Sequence, residues 1–315
     1  MPELVTRFAP SPTGRLHLGH AFSALTAFEA ARGAGGRFLL RIEDIDRTRC
    51  RPEHEAALYE DLAWLGLDWE APVRRQSEHM ADYEAVLERL RADGLLYRCF
   101  RTRKAVAEAI AGAPHGPGEV FRGAALPADE EARKLDAGEP FAWRLSLDHA
   151  REKLGPAWET LAFTDLDDGP QAARPDAAPM LWARPDTAGD VVLARKDVGV
   201  AYHLACVVDD ALQGVTHVIR GEDLREAVHI QRLLQALLGL PTPLYRHHRL
   251  LLGPDGTRLA KRAGSKSLGQ LQAEGTDPAA IRAELGFPAA PTPGRPAAHP
   301  AQEGASAGSA DAQYS

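Results

Sequence analysis

The sequence predicts an α/β fold, and three stretches carry that prediction. Leu4–Phe8 is a short apolar run closed by a turn holding Pro10, Pro12 and Gly14, after which Leu18, Phe22 and Leu25 recur at helical spacing. Arg37–Ile42 reads as a second strand, set off from the first helix by Gly33, Gly35 and Gly36. Late in the chain the apolar strand Val215–Arg220 opens into Gly221-Glu222-Asp223-Leu224 and a helix through about Leu238. At 315 residues the chain exceeds one average domain, so one large α/β domain with an insertion, or two domains, is expected.

Composition excludes several classes. No apolar run approaches the roughly 18 residues that a membrane helix needs, so no membrane partner is expected. The start, MPELVTRF, has acidic Glu3 and no hydrophobic core segment, which predicts no signal peptide. Cys50, Cys99 and Cys206 are odd in number and scattered, as suits a reducing, cytoplasmic setting. A net charge of −7 argues against a general nucleic-acid coating protein, while leaving room for local basic patches.

Taken in order, the first strand, turn and helix form the arrangement that aims free backbone N–H groups at a phosphate. His17 and His20 lie three apart on one helix face, and Gly19 between them lets a ligand approach the backbone. The second strand ends in Glu43, Asp44, Asp46 and Arg47. In a doubly wound parallel sheet, ligands sit beyond the carboxyl ends of the strands, where Glu43 falls. Alone, this acidic run would read as a solvated loop. Glu55–Leu65 and Ala81–Leu95 have helical patterns broken by Gly66 and Gly94, with Trp64 and Trp69 assigned to the core.

From Arg98 to about Gly138 the composition shifts to Arg101, Arg103 and Lys104, then Pro114-His115-Gly116-Pro117-Gly118, and reads as an insertion. Ala142–Leu147 alternates like a strand at its exit. Asp167–Thr187, with prolines at 170, 175, 179 and 185, reads as loop and receives no function. Order resumes at Asp190–Asp197 and at Tyr202–Asp210. Arg249–Leu252 then enters the turn Gly253-Pro254-Asp255-Gly256, followed directly by Arg258-Leu259-Ala260-Lys261-Arg262. Two modest helical patterns remain, Leu268–Ala273 and Pro278–Leu285, before a tail from about Ala289 that is expected to be disordered.

These segments carry a resemblance. LVTRFAPSPTGRLHLGH resembles the HIGH signature of class I aminoacyl-tRNA synthetases in the form used by the glutamyl and glutaminyl branch, and LLRIEDIDRTR and WLGLDWE are similar to family segments. RLAKR is similar to the second signature of that family, the KMSKS loop. The resemblance covers roughly residues 4–285. It implies a Rossmann-like parallel sheet with an inserted α+β subdomain and a short helical C-terminal extension. The implied division is 1–97 and 141–262 for the two halves of the catalytic domain, the second ending in the KMSKS-like loop. Between them lies the insertion, 98–140, where the family contacts nucleic acid; 263–288 is the helical extension and 289–315 the tail.

The resemblance also implies roles. His17, His20 and Lys261 would be catalytic, and His17, Gly19, His20, Lys261 and Arg262 would bind ATP. Arg7 and Arg220 would grip the carboxylates of glutamate, a task that suits the bidentate guanidinium fork. Glu43 would take the amine, while Ala9, Ser11 and Tyr202 line the pocket. Arg220 has an alternative, an internal salt bridge to Glu222 or Asp223. Cys206 departs from the asparagine common there in full-length glutamyl enzymes. Mg²⁺ is expected with ATP, held mostly by phosphates and water, so no protein ligands are named for it. Zinc is not expected: where the family often has CxC and a later YxxxC, only Cys99 remains, with His115 nearby, against the four ligands of a structural site.

After Arg262 the sequence given shows none of the long helical region with which glutamyl enzymes read the anticodon. That pattern resembles a paralogous branch that attaches glutamate to the queuosine base of tRNA(Asp). The expected activity is ATP-dependent formation of glutamyl-adenylate without tRNA, then transfer of glutamate to queuosine at the wobble position, by a monomer. Arg101, Arg103, Lys104, Arg246, His247, His248 and Arg249 are candidates to hold anticodon-loop phosphates. Alternatives are charging of a tRNA 3′ end, a HIGH-type nucleotidylyltransferase making a small adenylated metabolite, and a non-catalytic tRNA- or nucleotide-binding paralogue.

Overall fold

A computed structural model describes residues 3–111, 120–166, 178–195, 199–252 and 266–290. The chain opens with β1 (Val5–Phe8), α1 (Leu18–Gly33), β2 (Arg37–Ile42) and α2 (Pro52–Trp64), as the strand and helix patterns predict, and then β3 (Glu70–Arg75), a strand that the patterns do not mark. Then follow α3 (Met80–Ala92), β4 (Leu96–Cys99), α4 (Arg103–Ala111), α5 (Ala128–Asp136), β5 (Ala142–Leu145) and α6 (Leu147–Leu154). Next come β6 (Ala162–Leu166), β7 (Met180–Trp182), β8 (Val192–Arg195), β9 (Gly199–Val200) and α7 (Tyr202–Leu212). The series closes with β10 (His217–Gly221), α8 (Ala227–Leu238), β11 (Leu244–His248), α9 (Leu268–Ala273) and α10 (Pro278–Glu284).

Two sheets are built on parallel pairs. One runs β1-β2-β3, with Val5 opposite Arg37 and Phe8 opposite Leu40. The other runs β10-β11-β6-β7, parallel except for the antiparallel edge strand β7. They meet along β1 and the start of β10: the Thr216 N–H donates to Val5 O (2.9 Å), and the Val5 N–H donates to Thr216 Oγ1 (2.8 Å). From this seam the strand order runs outward both ways, which makes it the switch point where α/β sheets bind ligands. A third, antiparallel sheet, β4-β5-β8-β9, draws its strands from both sides of α4 and α5.

Helix α1 lies against the sheets because its sequence, LGHAFSALTAFEAARG, presents small and apolar residues on most of its surface. Ala21, Ala24, Leu25 and Ala27 are fully buried, and pack with Phe8, Leu40, Ile42, Leu58 and Leu62 in one core cluster. Burying side chains such as Leu25 and Phe28 is worth about 1.5–3 kcal/mol each. Trp64 and Trp69 pack against that cluster, as expected. A second cluster joins Tyr83 and Leu90 of α3 to Leu204 and Val207 of α7 and Leu233 and Leu234 of α8.

One segment differs from its reading as loop. Residues 178–187 contain β7, paired with Phe163 and its neighbours, and a single helical turn at Pro185–Ala188. The strand escapes pattern reading because Met180, Leu181 and Trp182 are all exposed, so no in–out alternation marks it. Prolines at 179 and 185 flank it, as an edge strand permits. The rest of that loop, the KMSKS-like segment and the tail beyond 290 lie outside the described residues. Among the described residues, no helix is long and apolar enough to cross a membrane.

Candidate active site

A cavity of about 250 Å³ opens beyond the carboxyl ends of β1 and β10. It gathers the predicted residues Arg7, Ala9, Glu43, Tyr202 and Arg220, together with His17, Gly19 and His20 of the first signature. Ser11 is exposed and is not among the lining residues, because the turn carries it outward. Lys261 and Arg262 lie outside the described residues.

The start of α1 forms one wall. His17 caps the helix: the Gly19 N–H donates to His17 Nδ1 (3.1 Å), and the His17 N–H donates to His20 Nδ1 (3.3 Å). With both Nδ1 atoms accepting, the ring protons sit on Nε2, so two N–H donors come from rings whose centroids are 3.9 Å apart. No acidic residue occupies the first turn, so the positive helix end keeps its attraction for an anion. The chain returns here after the second signature: Ser267 bridges to His17, and the Leu268 N–H donates to Leu16 O (2.9 Å). Leu251 lines the cavity and Ser267 bridges to His17, so the described residues on either side of 253–265 both stand at the rim of this site.

Behind the cavity lies a set of buried charges. Arg7 donates through Nε to Asp210 Oδ1 (3.0 Å) and through Nη2 to Asp210 Oδ2 (3.3 Å). Arg41, wholly buried, donates to the same carboxylate (2.7 Å) and to Glu43 Oε1 (3.2 Å). Burial alone would raise the Asp210 carboxyl, but the Arg7 and Arg41 guanidiniums overcome it and hold it well below the usual carboxylate range. Glu43 goes the other way: burial raises its pKa, and Arg41 and Arg7 offset only part of that. Cys206 donates to Asp210 Oδ2 (3.5 Å), and burial pushes its thiol up to about 12. Cys206 is thus a neutral donor to the carboxylate that holds both arginines.

The Arg7 fork is engaged by Asp210 in this structure. Asp210 takes its Nε and Nη2, leaving Nη1 as the nitrogen without a partner among the described residues. Arg220 keeps more reach. Its Nη1 donates to the Tyr202 hydroxyl (3.4 Å), its Nη2 to Leu224 O (3.1 Å) and its Nε to His247 Nε2 (3.3 Å). Among the described residues it has no ion pair with Glu222 or Asp223, so the internal salt bridge is not formed. The cavity therefore brings the guanidiniums of Arg7 and Arg220 together with the carboxylate of Glu43. That polarity suits a zwitterion with an additional carboxylate.

Sequence reasoning passed over Asp210, Arg41 and Asp165. For the first a signal was available: Asp209-Asp210 sits inside the apolar helix YHLACVVDDAL, and charged residues are almost never fully buried unless paired. His247 and His248 are buried, which removes them as phosphate contacts on the surface. Arg249, by contrast, is exposed and reaches the cavity wall. Cys99 is buried, and among the described residues no group of three or more His, Cys, Asp or Glu side chains converges to hold a metal ion.

Comparison with known proteins agrees with this geometry. The family model described as tRNA synthetases class I (E and Q), catalytic domain, matches residues 3–289. A glutamyl-Q tRNA(Asp) synthetase of Rhodobacter capsulatus is 47% identical over 90% of this chain and 100% of its own length. One of Symbiobacterium thermophilum is 45% identical over 90% of this chain and 86% of its own. Among solved structures, a glutamate tRNA ligase from Elizabethkingia meningosepticum in complex with its amino acid superposes with a TM-score of 0.63 at 30% identity. That match covers 83% of this chain and 52% of the ligase, so this chain spans about half of it. The chain belongs to the class I tRNA synthetases of the E and Q type, in the branch represented by the glutamyl-Q tRNA(Asp) synthetases.

Proposed function

We propose that this protein activates glutamate with ATP, without tRNA, and transfers it to the queuosine at the wobble position of tRNA(Asp). The observation that carries this reading is that one cavity, beside the start of α1, is lined by both Arg220 and Glu43. The names of the relatives from Rhodobacter capsulatus and Symbiobacterium thermophilum support it.

In this reading Arg220, aided by Arg7 Nη1, holds the side-chain carboxylate, Glu43 accepts from the ammonium group, and Tyr202 and Ala9 shape the pocket. A carboxylate oxygen of glutamate attacks the α-phosphorus of ATP, the bond to the bridging β-oxygen breaks, and pyrophosphate leaves. Charge develops on the α-phosphate oxygens, and donors fixed in advance at that position lower the barrier. His17, His20 and the positive end of α1 act there, Gly19 lets the nucleotide approach the backbone, and Lys261 and Arg262 hold the β- and γ-phosphates. Mg²⁺ entering with ATP would be held mainly by phosphate and water oxygens and would neutralise phosphate charge. A hydroxyl of the queuosine diol then attacks the glutamyl carbonyl, losing its proton, and AMP departs to leave an ester.

The same reading divides the chain into catalytic halves over 1–97 and 141–262, an insertion over 98–140, a helical extension over 263–288 and a tail over 289–315, acting as a cytoplasmic monomer. The antiparallel sheet is the frame on which the insertion sits. Exposed Arg101, Lys104 and Arg249 suit contacts to phosphates of a splayed anticodon loop. Transfer of labelled glutamate to tRNA pools with and without queuosine tests the proposal. Label is expected only on queuosine-bearing tRNA, released by mild alkali; efficient charging of unmodified tRNA(Glu) would replace this reading with charging of a 3′ end.

A further inference from the structure

We propose that Asp165 and His247 are positioning residues that aim Arg220: the carboxylate fixes the imidazole tautomer, and the ring's lone pair then fixes the guanidinium. This rests on the reading above, in which Arg220 grips the side-chain carboxylate of glutamate. The three residues come from adjacent parallel strands. Arg220 on β10 lies directly opposite His247 on β11, and Asp165 on β6 lies opposite Tyr245, two residues before His247.

The chain of contacts has one consistent proton assignment. His247 Nδ1 is 3.0 and 3.1 Å from the two Asp165 oxygens. A carboxylate can only accept, so Nδ1 carries the proton and Nε2 offers a lone pair. That lone pair receives the Nε–H of Arg220 at 3.3 Å. With Nε–H turned inward, the two terminal nitrogens are left on the side of Tyr202 and Leu224, both of which line the cavity. The ring of Tyr245 lies beneath, 5.6 Å from the guanidinium carbon, and stacks on His247 at 6.2 Å. A guanidinium held at Nε and supported on an aromatic face has lost its freedom to swing before substrate arrives, which is preorganisation.

The charges around His247 fit this role. Asp165 faces it from β6 and is paired with Arg225, Arg220 faces it from β10, and Tyr245 stacks on it from its own strand. A protonated ring would set an Nε2–H against the Arg220 N–H. Burial lowers the His247 pKa, Asp165 opposes that, and the Arg220 and Arg225 charges add to the lowering. Neither His247 nor Asp165 is among the residues that line the cavity, so both stand behind Arg220.

The test is glutamate-dependent ATP–pyrophosphate exchange on the full chain and its variants. His247→Ala should raise KM for glutamate about tenfold, while kcat and KM for ATP change less than about threefold. His247→Gln, which keeps an acceptor near the Nε2 position, should recover most of that loss. Asp165→Asn lets the amide donate to Nδ1 and releases the tautomer, so it should raise KM several-fold alone and little in the His247→Gln background. An unmoved glutamate KM in His247→Ala, a glutamine no better than alanine, or a parallel rise in KM for ATP would overturn the inference while wild-type exchange still requires glutamate. Wild-type exchange indifferent to glutamate would overturn the functional reading and this inference with it.

Discussion

Arg220 and Asp210 illustrate how burial and partners decide what a side chain can do. Among the described residues Arg220 meets only neutral acceptors, the Tyr202 hydroxyl, the Leu224 carbonyl and the His247 ring, so its charge is available to an incoming carboxylate. Arg220→Lys should therefore raise KM for glutamate about tenfold or more in the exchange assay, since an ammonium cannot reproduce a planar fork. Equal catalytic efficiency in the two proteins would remove Arg220 from the binding role. Asp210 shows the opposite case, with its charge consumed by Arg7 and Arg41. Asp210→Asn leaves two buried guanidiniums short of a counter-charge and should cost about 3–5 kcal/mol in urea unfolding at neutral pH. The sign with pH follows from its depressed folded pKa: its stabilisation is present above the unfolded value of about 4 and is lost as pH falls below it. Unfolding measured across that range should show a steeper acid loss in the wild type than in Asp210→Asn.

For single elements, the first turn of α1 combines a structural and a chemical duty in one residue. His17 caps the helix through Nδ1 and contributes a ring beside the cavity. Asparagine is among the best N-cap residues, so His17→Asn should keep the melting temperature while adenylate formation falls about 10²-fold. Loss of stability with exchange intact would mean that the ring acts only as a cap. Elements were legible in proportion to their patterning. Helix α1, β2 and β10 were visible because apolar spacing and glycine punctuation agree. Strand β7 was not, because an exposed edge strand has no buried face to write into the sequence. The candidate site was legible through its first signature and the residues named for glutamate, which the cavity gathers apart from Ser11. Asp210, Arg41, Asp165 and the true setting of His247 were not, because they act on other side chains across long sequence separations. Pairings such as Arg41 with Asp210 or Asp165 with His247 leave no local period.

At the scale of the whole molecule, the site is divided between two sheets joined along one seam. Thr216 stitches that seam through its amide and its hydroxyl. Thr216→Val keeps the shape but strips the Val5 N–H of its acceptor, and should cost about 1–3 kcal/mol in chemical denaturation. Because β1 leads into the His17–His20 wall while β10 carries Arg220, KM for ATP and for glutamate should rise together in that variant. A change confined to one substrate would show that the seam does not set the spacing of the two walls.

The seam also has a consequence for how the protein is made. Val5 leaves the ribosome early, and its partner Thr216 follows 211 residues later. At ordinary rates of synthesis that interval is about ten seconds or more. Throughout it, one edge of β1 has no strand to meet, and an open edge is a template for pairing with other chains. The nascent N-terminal half thus waits with the first signature already present and half of its binding site untranslated. On the proposed reading, a nascent fragment that ends before Arg220 lacks part of the glutamate site and should not consume ATP.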